Sequence, residues 1–143
     1  MTSPFSINLT SLQKALSQLR EAIGFWQALD ATDPLKPHLR SAVIQSFEFT
    51  YELAIRSTRR VLIERAESAD LVRDLGFNDL LRRASDAGLP MPLNTWRRWR
   101  ELRNTTSHSY NEARALEVAL AASDFAVDAA LLLAHLENAV RTP

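Results

Sequence analysis

The chain has 143 residues, with 17 Lys+Arg against 17 Asp+Glu, 46% hydrophobic residues, no cysteine and 3 glycines. That balance fits one soluble globular domain over 1–143 and excludes a disordered chain, a disulfide scaffold, and any thiolate metal site or thiol nucleophile. Gly24, Gly76 and Gly88 stand too far apart for a phosphate-cradling glycine loop, and zero net charge argues against coating nucleic acid through a bulk field.

Met1-Thr-Ser-Pro-Phe-Ser6 lacks the basic and apolar regions of an export signal. The first helix is expected from about Leu9. Leu9, Leu12, Leu16, Leu19, Ile23 and Trp26 advance by alternating threes and fours, the stripe of a helix with one buried face. Asn8 or Thr10 can cap it, and the stretch 30–37, with two prolines, ends it. A second helix is predicted from about Leu39 to Arg65. Its broad apolar face comprises Ile44, Phe47, Tyr51, Leu53, Ala54, Ile55, Thr58 and Leu62. Phe47, Phe49 and Tyr51 alternate, so at least one should leave its own core and favour a dimer contact.

A third, shorter helix is expected over 77–87, stopped by Gly88 and Pro90. A fourth opens after Pro92 and carries Trp96, Trp99, Leu102 and Arg103; these tryptophans read as core or interface groups before base-stacking ones. The last runs from about Asn111 to Arg141 and presents Leu116, Leu120, Val127, Leu131 and Ala134. Its most apolar tract, Ala126–Leu136, is interrupted by Asp128 and His135 and falls short of the ~20 residues a spanning helix requires. No strand alternation or hairpin dipeptide is visible. The expected fold is all-α, an up-and-down four-helix bundle with an additional short helix, in a cytoplasmic protein with no membrane association.

One segment breaks the pattern: Trp96-Arg-Arg-Trp-Arg-Glu-Leu-Arg-Asn-Thr-Thr-Ser-His-Ser-Tyr110. Arg97, Arg98, Arg100 and Arg103 crowd seven positions with Glu101 the only acid among them. Arginine suits bidentate recognition of phosphate, although GC-rich coding would also favour it over lysine. Asn104-Thr-Thr-Ser107 has modest or poor helix propensity, so the fourth helix is expected to end near 102–106. Were the helix to continue, five residues would rotate position 108 by roughly 500°, about 140° away from Arg103. Then either the helix breaks, or Arg103 and His108 each meet a counterpart on a second subunit. A histidine can move a proton near neutral pH, and an arginine can hold phosphate oxygens and stabilise charge growing on them. Asn104 can orient His108 or the substrate, and Tyr110 offers a modifiable hydroxyl. The plain alternative is a capped helix end whose arginines are solvated or paired with acids.

Elsewhere, His38 reads as a surface residue and His135 as a core or interface one. No carboxylate stands at metal-ligand spacing to any histidine, so no metal site and no cofactor are expected. Glu48 and Glu52, at i and i+4, share a helix face and can brace the Arg103 cluster across the bundle, or form an ordinary solvated face.

Arg103-Asn-Thr-Thr-Ser-His108-Ser-Tyr110 resembles the Arg-x4-His-x-Tyr motif of the HEPN superfamily. Val43-Ile-Gln-Ser-Phe-Glu-Phe-Thr-Tyr-Glu-Leu53, and the continuation Tyr110-Asn-Glu112, are similar to its nucleotidyltransferase substrate-binding branch. The resemblance spans roughly Leu9 to Leu136. It implies a homodimeric bundle encoded beside a small nucleotidyltransferase, with RNA or a nucleotide as ligand. In many such proteins the bundle is a metal-independent RNase toxin whose arginine and histidine meet across the dimer, and the transferase is an antitoxin that adds AMP to the motif tyrosine. On this chain the implied catalytic residues are Arg103, Asn104 and His108, and the modified one is Tyr110. Arg97, Arg100 and Asn111 would bind phosphate or substrate, with Glu48 and Glu52 in support. The alternatives are a non-catalytic subunit that binds nucleotide or substrate for the transferase, and a bare structural partner.

Overall fold

The structure, a computed structural model, describes residues 7–108 and 111–141, with only the backbone of 107 and 108. Among the described residues are six helices and no strand: α1 (Thr10–Ala28), α2 (Lys36–Arg65), α3 (Ala69–Arg73), α4 (Phe77–Asp86), α5 (Leu93–His108) and α6 (Glu112–Arg141). The long helices α1, α2, α5 and α6 form the up-and-down bundle. α1 and α5 each pack against both α2 and α6. Gln13 donates to Glu137 and Gln27 to Ser123, so α1 and α6 run antiparallel. Arg65, near the end of α2, donates to the Ala139 carbonyl near the end of α6, as parallel neighbours require.

All six residues of the α1 stripe are buried. Asn8 Oδ1 accepts from the backbone N–H of Thr10 at 2.8 Å, satisfying a donor that the helix cannot. α2 begins three residues before the expected start. Pro37 lies in its first turn, where proline's missing N–H costs nothing, so this proline opens a helix and does not merely close the preceding one. Phe47 and Tyr51 are buried whereas Phe49 is 55% exposed, so one aromatic of the alternating three does leave the core.

The sequence stripe chosen for α6 is on the wrong side. Leu116, Leu120, Val127 and Leu131 are exposed, as is Ala134. The core instead receives Ala115, Val118, Ala119, Ala122, Phe125, Ala126, Ala129, Leu132 and Leu136. α6 is apolar around most of its circumference, and its alanine-rich side lets the backbone approach its neighbours closely. His135 is likewise exposed, its Nδ1 3.0 Å from the Leu131 carbonyl, and belongs to neither the core nor a buried contact among the described residues.

Two short helices, not one, join α2 to α5. Arg59 anchors the unexpected α3: its Nη1 donates to the carbonyls of Val72 (3.0 Å) and Leu75 (2.9 Å), with Arg73 O at 3.4 Å. A five-residue helix cannot hold itself, and a guanidinium at its carbonyl end supplies charge-assisted bonds that solvent otherwise would. Gly88, two residues beyond the end of α4, has a φ of 85°. Leu89 N–H reaches Ala84 O and Gly88 N–H reaches Ser85 O, the paired bonds that close a helix through a left-handed residue.

A candidate phosphate-binding cleft between α2 and α5

α5 buries one side and charges the other. Trp96 and Trp99, three residues apart, are 0% and 2% exposed, so both are core groups and neither is placed to stack on a base. Phe125 of α6 is the hub of this aromatic cluster, with ring centroids 4.9 Å from Phe47, 5.9 Å from Trp96 and 5.5 Å from Trp99. Trp99 Nε1 donates to Asp128 at 2.9 Å, which fixes the rotation of α5 against α6. With its apolar side locked, α5 must turn Arg97, Arg98, Arg100 and Asn104 outward.

α5 continues to His108, beyond the expected stop. The threonines that argued for a break satisfy their hydroxyls on the helix itself: Thr105 donates to Glu101 O at 2.9 Å and Thr106 to Arg103 O at 2.8 Å. Position 108 therefore stands about 140° around the helix axis from Arg103. The side chain of His108, and Tyr110 altogether, lie outside the described residues.

Between α2 and α5 lies a cleft of about 610 Å³, lined by Tyr51, Glu52, Ile55, Arg56, Arg59, Arg100, Arg103 and Asn104. A smaller depression of about 230 Å³, lined by Arg97, Arg100, Glu101 and Asn104, continues from it across the two shared residues. Arg103 forms an ion pair with Glu52 across the cleft floor, with both side chains partly shielded from water. Glu48, one turn earlier, does not line the cleft. Arg100 spreads its guanidinium over the Phe77 ring, 4.7 Å from the centroid. No hydrogen bond or ion pair among the described residues occupies its N–H groups, which leaves them for a ligand.

Tyr51 stands at the back of the cleft, its ring stacked 6.5 Å from Trp96. Burial pushes its hydroxyl up to about 12, against the opposing influence of Arg100 and Arg103. It is a neutral hydrogen-bond donor throughout the physiological range. Asn111 has a different post. Its Oδ1 accepts from Ala113 N (2.9 Å) and Arg114 N (3.3 Å), capping α6, and it lines neither cavity. The expectation of a phosphate-binding Asn111 thus meets a side-chain oxygen occupied by the backbone.

The site is therefore two-sided. Arg97, Arg100, Arg103 and Asn104 come together, and Glu52 joins them from α2. Tyr51, Arg56 and Arg59 were missed. Their signal was available: Glu52, Arg56 and Arg59 follow at i, i+4 and i+7, a charged stripe along one face of α2.

The family model for nucleotidyltransferase substrate binding protein like proteins matches residues 7–138. The chain belongs to that family. It is 37% identical over 100 residues to "Probable ribonuclease HepT" of Haemophilus influenzae, covering 70% of this chain and 68% of that one. HI0074, from the same organism, has a solved structure described as revealing the fold of a substrate binding domain of a nucleotidyltransferase. It superposes with a TM-score of 0.81 at 30% identity, over 91% of this chain and 99% of the other. The HEPN resemblance is thereby upheld, and so is the all-helical bundle. No helix among the described residues is long and apolar enough to cross a membrane.

Proposed function

We propose that this protein is the HEPN partner of a small nucleotidyltransferase and a metal-independent RNase toxin held in check by it. The observation that carries the reading is the α2–α5 cleft, in which Arg103 sits among three further arginines at the start of the complete Arg-x4-His-x-Tyr motif. In the proposed reaction a ribose 2′-hydroxyl attacks the adjacent phosphorus, the 5′-oxygen leaves, and a 2′,3′-cyclic phosphate remains. His108 takes the proton from the attacking hydroxyl or returns one to the departing oxygen. Arg103 stabilises the charge on the phosphorane oxygens, and Arg100 and Arg97 hold the flanking backbone. Asn104 orients the substrate. Glu52 is a positioning residue that aims the Arg103 guanidinium.

With α5 continuous through position 108, positions 103 and 108 stand about 140° apart around its axis, which supports a site composed from two subunits. The exposed row Leu116, Leu120, Val127 and Leu131 on α6 is the apolar face we assign to that homodimer. AMP transfer to Tyr110 would place a phosphate beside the motif and block it. The name of the relative called "Probable ribonuclease HepT" supports RNA as substrate, and the family description supports the transferase partner. Purified protein without its partner should cleave RNA in the presence of EDTA, and His108→Ala should abolish cleavage. Cleavage that survives this substitution contradicts the assignment. Tyr110→Phe should abolish AMP incorporation by the partner.

The pairing of Arg103 with Glu52 supports a second reading, in which the cleft binds a nucleotide or substrate for the transferase without cutting it. That reading predicts nucleotide binding and a stable complex with the transferase, harmless expression, and no RNase activity.

A further inference from the structure

We propose that Arg56 on α2 is a second phosphate-binding residue, outside the motif, that makes the cleft a track for a phosphodiester chain and not a pocket for a lone nucleotide. The inference rests on the reading of the cleft as a nucleic-acid site, but not on its being catalytic. The four arginines lining the main cleft have different engagements. Arg59 is bonded to the carbonyls that follow α3, Arg100 is stacked on Phe77, and Arg103 is paired with Glu52. Arg56 has no ion pair, hydrogen bond or ring contact among the described residues, and it is exposed at the cleft wall.

Four arginines facing one glutamate give the cleft a formal balance of +3, in a chain whose net charge is zero. Crowded like charges are held there against their mutual repulsion, and an incoming anion relieves it. Glu52 already neutralises Arg103, so the surplus lies with the other three. Arg56 stands four residues along α2 from Glu52, about 6 Å or one turn. A phosphate on Arg103 and Arg100 and a neighbouring one on Arg56 therefore fit a chain running along α2. Ile55, between Glu52 and Arg56, adds the cleft's apolar wall for a ribose or base face. An extended polyanion is the partner that uses all of these positions at once.

The test is binding of a fluorescein-labelled, 2′-O-methylated single-stranded RNA octamer, which cannot undergo 2′-hydroxyl attack, compared with binding of AMP. Arg56→Gln should weaken octamer binding about tenfold and lower the slope of log K against log salt by about 0.7, the share of one single-strand phosphate contact. AMP affinity should be unchanged, and Arg56→Lys should restore most of the slope. The thermal unfolding midpoint should not fall, because Arg56 makes no bond among the described residues and its removal relieves like-charge repulsion. An unchanged octamer slope in Arg56→Gln overturns the proposal. So does an equal loss for AMP and octamer, which makes the cleft a mononucleotide pocket, or displacement of the octamer by polyglutamate at equal charge, which assigns the cleft to an acidic protein. Octamer binding with no cleavage of unmodified RNA would leave Arg56 in place and defeat only the RNase reading.

Discussion

Replacing Glu52 by Gln should weaken the fold and tighten the binding of phosphate while slowing cleavage. The Arg103–Glu52 side chains are 32% and 42% exposed, intermediate between surface pairs and buried ones. Surface pairs contribute about 0.2–1 kcal/mol, and breaking a buried pair costs roughly 3–5 kcal/mol. A coupling of about 1 kcal/mol is therefore expected from a double-mutant cycle with Arg103→Gln, read by urea unfolding. In thermal unfolding of the single variant this corresponds to a drop of about 2–4 °C. The ligand feels the opposite sign. With an effective dielectric of about 40 and a separation of about 8 Å, losing one carboxylate removes about 1 kcal/mol of repulsion on a phosphate, a gain of roughly fivefold in affinity. Fluorescence anisotropy with the methylated octamer measures it, and RNA cleavage should fall in the same variant because Arg103 is no longer aimed. Weaker octamer binding, or a coupling indistinguishable from zero, would refute the role given to this pair.

Three further outcomes follow from single residues. Arg59→Met keeps the aliphatic stem but removes the guanidinium from the carbonyls of Val72 and Leu75; a loss of about 2–3 kcal/mol in urea unfolding is expected, with faster amide exchange over residues 69–75. Tyr51 binds its proton more tightly in the folded chain than an unfolded tyrosine does, so its stabilising contribution is intact below pH 10 and is lost as pH rises towards about 12. In a Tyr110→Phe background Tyr51 is the only remaining tyrosine, and its absorbance titration should have its midpoint near about 12; a midpoint near 10 would contradict the burial assigned to it. Leu120→Glu, at a position 63% exposed, should leave helicity unchanged while sedimentation shows the proposed homodimer lost, and a persistent dimer would move the interface away from α6.

How far the sequence could be read depended on how one-sided each helix is. α1 has a single apolar stripe flanked by polar residues, so periodicity alone identified all its large buried side chains and left out only the small Ala15. α6 offers two apolar faces, and large side chains on one were chosen over alanines on the other. The buried face is the one that carries Phe125, the hub of the aromatic cluster, and periodicity alone cannot rank two apolar faces of one helix. α3 was invisible because five residues are too few to show a helical period, whatever their propensity; its anchor, Arg59, lies thirteen residues before Val72. The α5 half of the cleft was legible because arginines crowd around a recognisable motif, and Glu52 was legible from its place in the α2 signature. Arg56 and Arg59 occupy the same face as Glu52, but their meaning depends on α5 lying opposite, which is a tertiary fact. The expected stop near 102–106 falls two residues short of the end of α5, where the threonine hydroxyls bond to carbonyls of the same helix and leave the backbone N–H groups to it.

The central claim is that Arg103 and His108 form one catalytic site from two subunits. It is tested most directly by mixing Arg103→Ala and His108→Ala proteins, each inactive alone, after unfolding and refolding them together. In a two-fold dimer the mixed species regains one intact site, so the mixture should recover about a quarter of wild-type RNA cleavage, in EDTA. A mixture as inactive as its components, with mixed dimers demonstrated by mass, would contradict the account.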